Sequence, residues 1–192
     1  RKPAEQTVHP DAILHAAATV FCRQGYHGAT MADIAAEVNL TAGSLYHHFP
    51  SKQELLLAVL DAGLGQMISA VQAVVEGDAV PPEKLRQIVQ LHVQSEIDNV
   101  NIAAAVIFES RALLEMPGVR DQYVRQRDAL EALYRRVIED GIACGDFRAL
   151  DVGIFVKTMF GALNWVSVWY RPAGRMSGAE IAEEIARTFL AS

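Results

Sequence analysis

Apolar residues recur at helical spacing along most of the chain, which predicts an all-α fold. Ile13, Ala17, Val20 and Phe21 share one face of a first helix over 9–24, with Pro10 in its first turn and Gly25 as its stop. Met31, Ile34, Ala35 and Val38 stripe a second, and Leu45 and Phe49 turn inward from a third that is barely two turns long. A Leu- and Ala-rich helix then runs over 51–76, interrupted by Gly63 and Gly65. Each glycine lowers helix propensity by roughly 1 kcal/mol relative to Ala, so each marks either close packing or a soft point in a connecting rod. Beyond the loop at 77–82, further helices are expected over 83–98, 102–114, 119–144, 152–170 and 177–191.

Polar punctuation sharpens the front of this pattern. Thr30 with Asp33 makes a capping box, Thr41 caps the third helix with Ser44 at its third position, and Ser51-Lys52-Gln53-Glu54 opens the fourth. Asn39 ends the second helix, since Asn tolerates a left-handed backbone. Gly43, Ser44, Tyr46 and His47 are left on the outer face of the short third helix. A short helix with small and polar aromatic residues outward, crossed by the one before it, is the arrangement by which a helix-turn-helix enters the major groove. An ordinary helical hairpin is the plainer alternative.

Composition narrows the class. The 192 residues are 51% hydrophobic and 21% charged, as in a globular soluble chain of one or two domains. No signal peptide is visible at 1–10, and Arg1 in place of Met suggests a trimmed start with room for a basic tail upstream. Cys22 and Cys144 form neither a CxxC pair nor a disulfide framework, which fits a reducing cytoplasm. The net charge of −6 argues against a broad nucleic-acid surface: residues 1–55 carry four Lys/Arg (Arg1, Lys2, Arg23, Lys52) against five Asp/Glu, with five of the six histidines. A DNA reader built from this chain depends on a few placed phosphate contacts, helix N-termini and dimerisation.

Catalytic and metal chemistry find little support. Asp11 and His15 read as a surface pair, and no third ligand follows. His92 and Glu96, at i and i+4, are the one acid/base candidate, and pocket lining or simple hydrogen bonding is favoured for them. No P-loop, GxGxxG or nucleophile elbow is present, so no enzyme, metal or cofactor is expected. The apolar run at 152–170 has the length of a membrane span, but Lys157, Asn164 and two glycines sit in it, which points to a helix buried in a protein bundle.

The pattern AT-x-x-x-IA, then LY-x-HF-x-SK-x-EL, preceded by FCRQGYHG, resembles the N-terminal signature of TetR-family repressors over the first quarter of the chain. The resemblance implies an N-terminal three-helix bundle with a helix-turn-helix at 1–50, and an effector-binding and dimerisation domain at 51–192 whose first part, 51–76, is the connecting helix. It implies phosphate contacts from Thr30, Tyr46 and Lys52, and a face of Thr41, Ala42, Gly43, Ser44, Tyr46 and His47 toward base edges. Asn39 and Ala42 depart from the family pattern, where Gly and a polar residue are common. With few bidentate donors on this face, specificity would lean on apolar contacts and DNA shape.

The resemblance further implies a homodimer built on the last two helices, a palindromic double-stranded operator and a small-molecule effector enclosed by 83–144 and the connector. Asn164-Trp165 and the following Trp-Tyr-Arg-Pro-x-Gly are similar to a branch answering acyl-CoA thioesters. The implied ligand residues are His92, Glu96, Phe108, Arg111, Arg127, Phe160 and Trp165, with Val106. Trp165, Trp169 and Tyr170 are more often dimer core than ligand box. The other classes in play are a regulator of drug or xenobiotic efflux genes and a helical ligand-binding protein without DNA activity.

Overall fold

Side-chain caps fix where most helices begin. The computed structural model describes residues 9–109, 114–116 and 119–191. Helix α1 (Pro10–Gly28) is kinked at Gly25, where φ is 69°, a conformation open to glycine without strain. Thr30 accepts from the Asp33 amide and Asp33 reaches back, so α2 (Met31–Glu37) starts on the expected capping box and stops at Asn39, φ 55°. Thr41 accepts from the Ser44 amide to open α3 (Ala42–His48). Ser51 accepts from the Glu54 amide to open α4 (Lys52–Glu76). Each such cap is worth about 1 kcal/mol, so the turn geometry is written in a handful of side chains. Ile13, Phe21, Ile34, Leu45, Leu55 and Leu56 are fully buried and lock the three front helices to the start of α4.

Behind them α4 continues into a helical body: α5 (Pro81–Asp98), α6 (Val100–Phe108), α7 (Val119–Cys144), α8 (Val152–Asn164), α9 (Val166–Trp169) and α10 (Gly178–Leu190). Asp151 caps α8 and Ser177 caps α10, the latter with a full box to Glu180. Among the described residues every regular element is a helix, as the apolar spacing predicts. Several expected boundaries move: α1 runs past Gly25 to Gly28, and α6 ends at Phe108 rather than at 114. The break before α6 shrinks to Asn99, and the expected 152–170 helix divides at Trp165.

Gly63 has a definite packing role. A Cβ there would stand 2.9 Å from Ile102 Cγ2 and 3.4 Å from Val106 Cγ2, so α4 and α6 cross in contact at this residue. Gly65 has no such neighbour within 4 Å. The segments Lys52–Glu76 and Val152–Trp169 are both long and apolar enough to cross a membrane by length and composition. The first is a core helix. The second departs from expectation, being buried on one face only: Val156, Met159 and Leu163 point inward, while Ile154, Gly161, Ala162, Trp165 and Trp169 are exposed.

Candidate functional site

Helix α3 presents Thr41, Gly43, Tyr46, His47 and His48 to solvent, with Ala42 and Ser44 half-buried. The Ser44 hydroxyl lies 2.9 Å from Thr41 Oγ1, so the cap engages it, and it is less free than the outer-face assignment requires. Tyr46 is 50% exposed and extends furthest as an aromatic on this face. Thr30 stands exposed at the N-terminus of α2, though its side chain is taken up by the capping box.

Lys52 is a correction. Its Nζ donates to the Tyr26 carbonyl at 2.6 Å and the Ala29 carbonyl at 2.7 Å, and lies 4.6 Å from the centre of the Tyr26 ring. The ammonium thus ties the start of α4 to the end of α1, rather than standing free for a phosphate. The reason is Gly25: its kink leaves carbonyls at the end of α1 without helical partners, and a cation satisfies them. Arg23 is paired with Glu37 at 2.8 Å. Among the described residues of this front, both Lys/Arg side chains are engaged within the chain. Asp11 also differs from expectation, pairing with His9 at 3.2 Å rather than with His15.

The second site is a cavity of about 790 Å³ bounded by α4, α5, α6, α7 and α8. His92, Glu96, Arg127, Phe160 and Val106 line it. Phe108 and Trp165 do not. They are 53% and 50% exposed and meet edge to face at 6.1 Å on the outside of the body, since α6 and α8 turn these positions away from α5. Arg111 lies outside the described residues.

Residues that the sequence does not announce hold the lining in place. Buried Tyr134 lies 2.7 Å from His92 Nδ1, and Asn164 Oδ1 lies 2.9 Å from His92 Nε2. Burial, with the neighbouring Glu96 carboxylate, raises the Tyr134 phenol far above its ordinary range. The Asn164 oxygen accepts from Nε2–H, and the Tyr134 hydroxyl shares the hydrogen bond at Nδ1. Glu131 accepts from Arg135 at 2.7 Å and Lys157 at 3.0 Å. Those two bonds, Lys157 first, hold its carboxyl below the ordinary value. The signal that sequence offers is Lys157 and Asn164 as polar interruptions of an apolar run; both line the cavity.

The WYRP-x-G segment lines a smaller cavity of about 420 Å³ against α10, with Arg171 and Arg175 beside Trp169 and Met176. Among the described residues no group of three His, Cys, Asp or Glu side chains is placed to hold a metal ion.

This architecture, a capped helix-turn-helix joined by one long helix to a hollow helical body, is that of a DNA-binding regulator with an internal ligand chamber. The chain belongs to the TetR family: residues 13–59 match the bacterial regulatory proteins of the tetR family, and 78–192 the tetracyclin repressor-like C-terminal domain. It is 31% identical over 186 residues to the HTH-type transcriptional repressor KstR2 of Mycolicibacterium smegmatis, spanning 95% of this chain and 89% of that protein. The TetR-family regulator PfmR of Thermus thermophilus superposes with a TM-score of 0.84 at 29% identity, over 94% of this chain and 97% of that one. AibR, solved in complex with isovaleryl coenzyme A and operator DNA, shares the fold, with a TM-score of 0.79 at 24% identity over 95% and 96% of the two chains.

Proposed function

We propose that the chain is a cytoplasmic, ligand-responsive repressor that holds a palindromic operator as a homodimer and releases it when a small hydrophobic or acyl-CoA-type effector fills the cavity. Residues 1–50 form the reading head, 51–76 the connector, and 51–192 as a whole the effector and dimer domain. One observation carries the proposal. Helix α4 is tied to the head through Lys52, Leu55 and Leu56, and the same helix walls the cavity through Gly63, Leu64 and Met67. An effector that resets the tilt of α4 changes the separation of the two recognition helices, which on one face of B-DNA is about 34–36 Å. It does so only through its differential affinity for the two tilts.

The exposed stripe on α8 and α9 supports the dimer. Ile154, Thr158, Gly161, Ala162, Trp165 and Trp169 repeat at helical spacing, and a Cβ at Gly161 would have no neighbour within 4 Å, leaving room for a second chain to approach closely.

The acyl-CoA reading draws on the WYRP-x-G resemblance, on Arg171 and Arg175 beside that motif, and on the isovaleryl coenzyme A in a protein of the same fold. One observation favours a neutral xenobiotic instead. The cations lining the main cavity are already paired, Arg127 with Asp128 and both Arg135 and Lys157 with Glu131. Fluorescence anisotropy on the promoter fragment nearest the gene tests both: operator affinity falls on adding a bound effector, and unchanged affinity at saturation overturns the switch. Competition by coenzyme A alone separates the thioester class from the neutral one.

A further inference from the structure

Glu96 is an anomaly in an otherwise satisfied cavity. It lines the chamber with its side chain only 10% exposed. Its Oε2 is buried and makes no hydrogen bond, and its Oε1 stands 3.7 Å from His92 Nε2, too far for one. That His92 proton already has a partner in Asn164 at 2.9 Å. The other two carboxylates on the lining, Asp128 and Glu131, are each matched to cations. Glu96 is thus the lining carboxylate left with acceptors and no donor, a costly state unless something else supplies one.

We propose that the effector itself supplies that donor: Glu96 is the specificity-determining residue of the chamber, accepting a hydrogen bond from a hydroxyl on an otherwise apolar ligand. The proposal rests on the effector-binding reading above and names the ligand chemistry within it. A hydroxyl fits better than an ammonium, because apart from Glu96 the lining carries three cations, Arg127, Arg135 and Lys157, against two carboxylates. The hydroxyl belongs at the end of the ligand remote from its entry. Lys157 and Arg127 are 61% and 51% exposed and mark the rim, while His92 and Glu96 lie at the floor. Rotation about the terminal carboxylate torsion, which is soft, turns either oxygen to the ligand.

Isothermal titration with two matched pairs tests this: octanoyl-CoA against 8-hydroxyoctanoyl-CoA, and dodecanoyl-CoA against 12-hydroxydodecanoyl-CoA. A hydrogen bond to a buried carboxylate predicts a preference of about tenfold or more for the hydroxylated member of at least one pair. Glu96→Leu abolishes that preference while retaining or raising affinity for the methyl-ended member, and Glu96→Gln, which keeps an acceptor, retains part of it. Glu96→Leu is also expected to melt no lower than wild type, since it removes a buried oxygen that has no hydrogen-bond partner. Should it fail to fold, the Gln variant alone decides. Equal binding within both pairs, or a preference that survives Glu96→Leu, overturns the role of Glu96 and leaves the acyl-CoA class standing. If no CoA ester binds, that class falls, and 12-hydroxydodecanoate against dodecanoate decides Glu96 by itself: no difference between them overturns it.

Discussion

The reading head and the cavity solve their polar accounting over opposite distances in the chain. In the head, Thr30 bonds Asp33, Thr41 bonds Ser44 and Ser51 bonds Glu54, each three residues away. In the cavity, His92 meets Tyr134 and Asn164, 42 and 72 residues distant. The recognition turn is closed by local bonds, which suits a rigid part that must fit DNA, while α1 behind it is bonded to α6 through Thr19 and Cys22 to Asn101 and through the Tyr26 amide to Glu109. A chamber whose polar groups come from different helices changes whenever those helices shift, which suits a part that must respond. Helix α4 belongs to both, and substitutions on either side of it test where that division holds.

The largest effect is expected where the body leaves an apolar stripe uncovered. Trp165→Asp places a charge on the exposed α8 stripe, and Gly161→Gln fills the open space beside it. Light scattering should show monomers in place of dimers, and operator affinity should fall by more than about a hundredfold as the second half-site contact is lost. Monomers of wild-type affinity would mean that one head suffices, and the two-fold reading would go.

Lys52 reaches much further than the caps do, bonding carbonyls 26 and 23 residues back. Lys52→Met should lower stability by about 2 kcal/mol, or roughly 4–8 °C in melting temperature for a chain this size. DNA affinity should drop for every sequence, yet the slope of affinity against salt should stay as in wild type, because no phosphate contact is removed. A slope flattened by about one charge would restore the phosphate contact implied by the family resemblance.

These contrasts explain what is legible in the sequence. Caps signal themselves, because donor and acceptor lie within one turn, so Thr30, Asn39, Thr41, Ser51, Asp151 and Ser177 are readable as they stand. The acceptors of Lys52 are backbone carbonyls freed by a kink at Gly25, and no side chain announces them. His92 and Glu96 are visible as a pair one helical turn apart, whereas Tyr134 looks like any tyrosine on an amphipathic helix. Phe108 and Trp165 read as cavity residues because an apolar stripe says that a face is covered without saying by what. The structure turns both outward, toward the face a second chain would cover.

A smaller effect should separate capping from reading on α3. Thr41→Ala removes the bond to the Ser44 amide and should cost about 1 kcal/mol of stability, with DNA affinity falling uniformly. His47→Ala and Tyr46→Phe touch no cap and should leave the melting temperature within about 1 °C, given that exposed substitutions rarely exceed about 0.5 kcal/mol. A selection from random duplexes should then show a changed sequence preference for His47→Ala alone of the three. A uniform loss for His47→Ala would move it from base edges to the backbone.

The smallest stability effect lies at Glu131, where it also bears on the effector. Its carboxyl is held below the ordinary value of 4.5 by Lys157 and Arg135, so below that pH the unfolded chain binds the proton more readily than the folded one. The stabilisation is therefore fully present above pH 4.5 and is lost as pH falls through the depressed folded value. Glu131→Gln should flatten the acid limb of the stability curve: its cost, the lost ion pairs, shows in full at pH 7 and fades as pH falls. The same substitution releases Arg135 and Lys157 toward the cavity. If the effector brings phosphates to that rim, Glu131→Gln should bind coenzyme A thioesters more tightly than wild type. If it is neutral, affinity should not move, and the paired cations are then part of the wall rather than of the recognition.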